Sequence, residues 1–174
     1  MTIIEALDDK NLFNPWLKNP ATWIAWKTFL KALYALPMTQ DELTIYQACT
    51  GRTKPPTAPT RAAWVIVGRR GGKTFICNLL GVFEACCPYL APGERAFVML
   101  ISVDKMQTGV SLGYISGLLH GVPMLAAMIE RETSERIDLT NGVSIMVKAQ
   151  DFRTVRGFTI VVATLDETAF WKDD

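Results

Sequence analysis

Ala62-Ala63-Trp64-Val65-Ile66-Val67-Gly68-Arg69-Arg70-Gly71-Gly72-Lys73-Thr74 opens as an apolar, β-branched run and breaks into a turn rich in glycine and arginine. The run is short and does not alternate with polar residues. It predicts a strand buried on both faces, as in a parallel sheet. Beyond the turn, Ile76, Leu79, Leu80, Phe83 and Cys87 recur at helical spacing until Pro88 closes the segment. A glycine-rich turn between a buried strand and a helix presents backbone N–H groups at the helix N-terminus, where anions bind. In such a loop Gly68, Arg70, Gly71 and Gly72 wrap phosphate, Lys73 reaches the β- and γ-phosphates of ATP, and the Thr74 hydroxyl ligates Mg²⁺. Gly72-Lys73-Thr74 alone is a common tripeptide, and Val67 stands where the usual GxxxxGK[ST] has its first glycine. The strand before it and the helix after it carry the reading.

Outward toward the C-terminus, Ala96–Val103 predicts a second buried strand and Lys105–Leu119 a helix. Gly109, Gly113 and Gly117 fall on one face of that helix, which predicts close packing on a sheet. Arg136–Leu139 and Val143–Val147 alternate and are joined by Asn141-Gly142, a β-hairpin signal because both turn residues tolerate positive φ. Thr159–Leu165 predicts a third buried strand, ending at Asp166-Glu167. Strands alternating with helices predict an α/β fold with a mainly parallel sheet flanked by helices. A carboxylate pair at a strand end suits nucleotide hydrolysis. Asp166 would hold Mg²⁺ and Glu167 would polarise the attacking water.

Toward the N-terminus, the first forty or so residues predict helix. Asn19-Pro20 forms an N-cap and N1 pair, Trp23, Trp26, Leu30 and Leu33 lie on one buried face, and Pro37 terminates the segment. Residues 51–60, GRTKPPTAPT, are a loop. The expected division is therefore a helical extension over 1–60 and a core over 61–174.

The 174 residues are 49% hydrophobic and 20% charged, the balance of a globular protein. There is no apolar run long enough to span a bilayer and no secretion signal at the N-terminus, so a cytoplasmic protein without a membrane partner is expected. His120 is the single histidine, which argues against a histidine-based triad. Cys49, Cys77, Cys86 and Cys87 lack metal-ligand spacing and are expected to be buried thiols. Net charge is +1, yet no acidic residue falls between Glu42 and Glu84, while Arg52, Lys54, Arg61, Arg69, Arg70 and Lys73 do. Such a stretch suits contact with phosphate.

Gly68-Arg69-Arg70-Gly71-Gly72-Lys73-Thr74 with Leu165-Asp166-Glu167-Thr168-Ala169-Phe170-Trp171 resembles the N-terminal ATPase region of a tailed-phage terminase large subunit, from Trp23 to the end of the chain. Tyr46-Gln47 before Thr50-Gly51-Arg52, and Arg153-Thr154-Val155-Arg156-Gly157, add to the resemblance. It implies a P-loop ATPase of the additional-strand catalytic-glutamate type. Arg69 would sense the γ-phosphate in cis, Arg156 (or Arg153) would reach a neighbouring subunit as an arginine finger, and Gln47 would recognise adenine beside the linker before the core. Asp104 and Gln107 resemble a motif after the second strand, without assignable chemistry. The resemblance also implies a ring that drives double-stranded DNA into a procapsid, with the portal protein and the small terminase subunit as partners. It implies residence in the host bacterial cytoplasm and transiently at the portal vertex. The family's nuclease domain and later ATPase strands follow the Asp-Glu pair, and the sequence stops at Asp174. Nuclease activity is therefore not expected of these residues, nor efficient hydrolysis by them alone. The alternatives are a helicase-like DNA translocase, a nucleotide-binding fragment inactive in isolation, and a small-molecule kinase, which would want a lid bearing arginines.

Overall fold

Two helix starts in the N-terminal part are written as reciprocal capping boxes. Thr2 Oγ1 accepts from Glu5 N at 3.2 Å and Glu5 Oε2 accepts from Thr2 N at 2.7 Å, which begins α1 (Ile3–Asp8). Thr39 and Glu42 repeat the arrangement at the start of α3 (Gln40–Thr50), and Gly51, at φ 69, supplies the left-handed C-cap. Between them lies α2 (Ile24–Leu33). The computed structural model describes residues 1–86, 90–91, 93–103, 105–149 and 158–171. The chain divides into two units, Met1–Arg69 and Arg70–Asp174.

In the first unit, Ile3, Ala6 and Leu7 of α1 and Leu30 of α2 are buried. Lys31 of α2 donates to both Glu42 carboxylate oxygens at 2.7 Å, tying α2 to α3. Asn19-Pro20 begins a 3₁₀ turn, Pro20–Trp23, and the Asn19 side chain makes no cap bond there. Trp23 and Trp26 are half-buried, so the expected buried tryptophan face is carried by Leu30 instead.

The strand expected at Ala62–Val67 is not formed. The segment has no regular structure, and Trp64 and Ile66 are 86% and 102% exposed. An apolar run becomes a strand only where a neighbour supplies a ladder and a surface to cover it. No strand among the described residues pairs with this one.

The second unit is an α/β fold with a mixed five-stranded sheet flanked by helices. The elements run α4 (Lys73–Cys86), β1 (Ala96–Ser102), α5 (Lys105–His120), α6 (Pro123–Ala126), β2 (Ile129–Glu132), β3 (Arg136–Leu139), β4 (Val143–Ala149) and β5 (Ile160–Leu165). Strand order is β2-β3-β4-β1-β5. β1 pairs in parallel with β4 and β5, whereas β2-β3 and β3-β4 are antiparallel. The sheet is thus mixed, where alternating strands and helices predicted one mainly parallel. The antiparallel half comes from the hairpin and from β2, which the sequence did not announce. Gly142 takes positive φ in the hairpin turn. Asn141 does not; its side chain donates to Ala85 O at 2.9 Å and accepts from Val143 N at 3.2 Å.

β1 is an interior strand between β4 and β5, and Ala96, Val98, Met99 and Leu100 are buried. Among the described residues β5 is the sheet margin, with Ile160 and Leu165 exposed, so its apolar composition does not reflect burial on both faces. The close helix–sheet approach occurs in α4, where a Cβ on Gly81 would come within 3.3 Å of Val98 Cγ1. Gly109, Gly113 and Gly117 were expected to play that part, but they are exposed and a Cβ on any of them would meet nothing within 4 Å among the described residues. The buried face of α5 is instead Ile115, Leu118 and Leu119. Cys87 and Pro88 lie outside the described residues.

Candidate functional site

Parallel pairing of β1 with β5 brings the carboxyl ends of both strands to one edge of the sheet. The ladder continues past β5, because Asp166 N donates to Ile101 O at 2.8 Å. The next residue, Glu167, departs from it at φ 55, ψ 39. A left-handed backbone at a non-glycine residue costs on the order of 1 kcal/mol, and such residues gather at functional sites. Trp171 Nε1 donates to Asp166 O at 3.1 Å, closing the turn after the acidic pair.

The glycine-rich turn meets this edge. Arg70 and Gly72 both take positive φ, at 60 and 82, immediately before α4 begins at Lys73. Alternation of left- and right-handed residues turns successive N–H groups toward one concavity. Lys73 Nζ donates to Asp166 Oδ1 at 2.8 Å and to Glu167 Oε1 at 3.2 Å. Burial works against the Lys73 charge, but the hydrogen bonds and attraction of Asp166 and Glu167 outweigh it and hold the ammonium above its ordinary pKa. The same region is reached from α5, where Gln107 Nε2 donates to Glu167 Oε2 at 2.9 Å.

Below these groups lies a cavity of about 10 Å³ lined by Thr74, Asn78, Ser102, Ser111, Thr164 and Asp166, among others. The Asn78 side chain is buried, and among the described residues neither polar atom has a hydrogen-bond partner. Cys77, one turn beyond Lys73, is pushed up to about 11, mainly by burial and further by Asp166, against the opposing pull of Lys73. A thiol so protonated at neutral pH is no nucleophile.

No family model, curated protein or solved structure matches the chain.

The structure therefore brings together Thr74, Lys73, Asp166 and Glu167 from the sequence expectation, with Gly72, Gly71 and Arg70 on the approach to α4. Gly68, Arg69 and Gln47 fall in the other unit. All three are exposed, and the Gln47 amide donates to Thr53 O at 3.0 Å. Arg153, Arg156 and Asp104 lie outside the described residues. Cys49 is exposed and Cys77 and Cys86 only part-buried, where buried thiols were expected.

Among the described residues no cluster of three His, Cys, Asp or Glu could hold a metal by itself. Mg²⁺ bound with a nucleotide needs only one or two protein oxygens, the rest coming from phosphate and water. Thr74 and Asp166, hard oxygen donors facing one cavity, fit that requirement. Two residues escaped the sequence reading. Gln107 had a sequence match but no chemistry, and the signal was its position just after β1, the strand beside the one that ends in the acidic pair. Trp171 entered the sequence reading only as the last residue of the Leu165–Trp171 segment, with no role of its own.

Proposed function

We propose that this chain binds Mg-ATP at Lys73, Thr74, Asp166 and Glu167, and that it is the ATPase part of a DNA-packaging terminase. The observation that carries the reading is the meeting of Lys73, at the start of a helix behind a glycine-rich turn, with two adjacent carboxylates at the end of a parallel strand. A cation, a hydroxyl and a carboxylate pair converging there are the parts needed for phosphoryl transfer to water.

On this reading the N–H groups of residues 70–74 and the Lys73 ammonium bind the polyphosphate. Thr74 and Asp166 hold the metal. Mg²⁺ supplies neutralisation of charge developing on the transferred group. Glu167 accepts a proton from the attacking water through its carboxylate. Arg70 lines the loop, Arg69 senses the γ-phosphate, Arg156 reaches the neighbouring subunit, and Gln47 reads the adenine edge. Assembled as a ring on the portal with the small subunit, the protein would grip double-stranded DNA through phosphates and act in the host cytoplasm.

The test is calorimetric titration of Mg-ATP into the purified chain and into Lys73→Ala. Binding in the first and none in the second supports the reading. Equal binding in both, or none in a chain that is folded by circular dichroism, refutes it.

A further inference from the structure

Glu167 is held from two directions by groups on different elements. Lys73 Nζ donates to Oε1 at 3.2 Å from α4, and Gln107 Nε2 donates to Oε2 at 2.9 Å from the first turn of α5. Gln107 arrives there because α5 follows β1 directly and β1 is the parallel neighbour of β5. The main chain beside Glu167 is anchored on both sides of the Asp166 peptide, by Ile101 O and by the Trp171 indole.

Lys73 and Gln107 differ in one respect. The Lys73 ammonium is the group a polyphosphate requires, and in this structure it is spent on Asp166 and Glu167. A phosphate that claims Lys73 takes that donor from Glu167 Oε1, and a carboxylate that loses a hydrogen bond is destabilised. Gln107 offers an amide that satisfies the carboxylate without adding a positive charge to compete with Lys73. From this geometry we infer that Gln107 is a positioning residue: it retains the Glu167 carboxylate when a polyphosphate takes Lys73, and so sets how readily Lys73 is released. The inference rests on the Mg-ATP reading of the same site. A bond serving merely to fasten α5 to β5 would alter stability but would not couple nucleotide affinity to Glu167.

The experiment is a double-mutant cycle on Mg-ATP affinity, by calorimetry, with the whole chain. It compares wild type, Gln107→Leu, Glu167→Ala and the double variant, with Lys73→Ala as the reference for the site. Gln107→Leu keeps the side-chain volume and removes the donor. It is expected to weaken binding about tenfold when Glu167 is present. In the Glu167→Ala background it should change affinity by less than about twofold. Gln107→Glu, which repels Glu167 toward Lys73, should weaken binding at least as much, and guards against a packing defect peculiar to leucine. Wild-type affinity in both Gln107 variants overturns the inference, as does an equal loss with and without Glu167. If that happens while binding still depends on Lys73, the inference alone fails. If wild type shows no Lys73-dependent binding, the reading of the site fails and takes the inference with it.

Discussion

Lys73 and Asp166 stand 93 positions apart in the chain, and their side chains meet at 2.8 Å. The contact joins the first residue of α4 to the residue that follows β5, so it reports directly that the helix start and the strand end face the same space. Both groups are only part-exposed, at 31% and 23% of the side chain, and their pairing is less screened than a surface ion pair.

Asp166 should make nucleotide binding depend on magnesium. In wild type, ATP is expected to bind more than about tenfold more tightly with Mg²⁺ than with a chelator, because carboxylate and phosphate share the metal. Asp166→Asn should reduce that gain to about twofold. Paired titrations with and without Mg²⁺ check this, and an unchanged gain in Asp166→Asn removes the aspartate from the metal site.

Glu42 should make the N-terminal helices acid-sensitive. Burial alone would raise its pKa, but the hydrogen bonds from Lys31 and the Thr39 backbone dominate and hold the carboxyl below the ordinary glutamate value of 4.5. A depressed folded-state pKa gives stability that is present above the unfolded value and is lost as pH falls through the folded one. The wild-type thermal midpoint should therefore drop on going from about pH 6 to about pH 3 more steeply than that of Glu42→Gln. Parallel slopes in the two proteins, followed by helical circular dichroism, would count against the Lys31–Glu42 contribution.

The glycines of α4 and α5 should respond in opposite directions. Gly113 is exposed in mid-helix with open space around it, so Gly113→Ala should stabilise by about 0.5–1 kcal/mol. Gly81 lies against Val98, so Gly81→Leu should cost about 2 kcal/mol or more through overpacking. Denaturant midpoints measure both, and a tolerated Gly81→Leu would contradict the close packing of α4 on β1.

Asn78 is a buried amide with neither polar atom bonded among the described residues. Replacing it with leucine, of similar size and without polar atoms, should raise stability by about 1 kcal/mol. A loss of stability in Asn78→Leu would mean that the amide is satisfied by a water in the cavity beneath Asp166.

Local signals were legible in the sequence and pairing signals were not. The β3–β4 hairpin could be read because Asn141-Gly142 and the flanking alternation are contained in a dozen residues. The helix α4 and the acidic pair after β5 were readable for the same reason. What an apolar run does depends on what covers it. Ala62–Val67 and Ile160–Leu165 look alike as sequence, yet among the described residues the first has no ladder and the second is a half-exposed margin. The Gln107–Glu167 contact spans 60 positions and follows from strand order, which composition does not encode. Small residues at helical spacing also misled. Gly109, Gly113 and Gly117 suggested an intimate face and lie on the outside, whereas the lone Gly81 makes the approach.

β5 hydrogen-bonds along one side only among the described residues, and the acidic pair begins one residue past its end. The strand is therefore a lever with its handle and its working tip on the same piece of backbone. A segment that zips onto the open side would pair with the six residues that lead into Asp166.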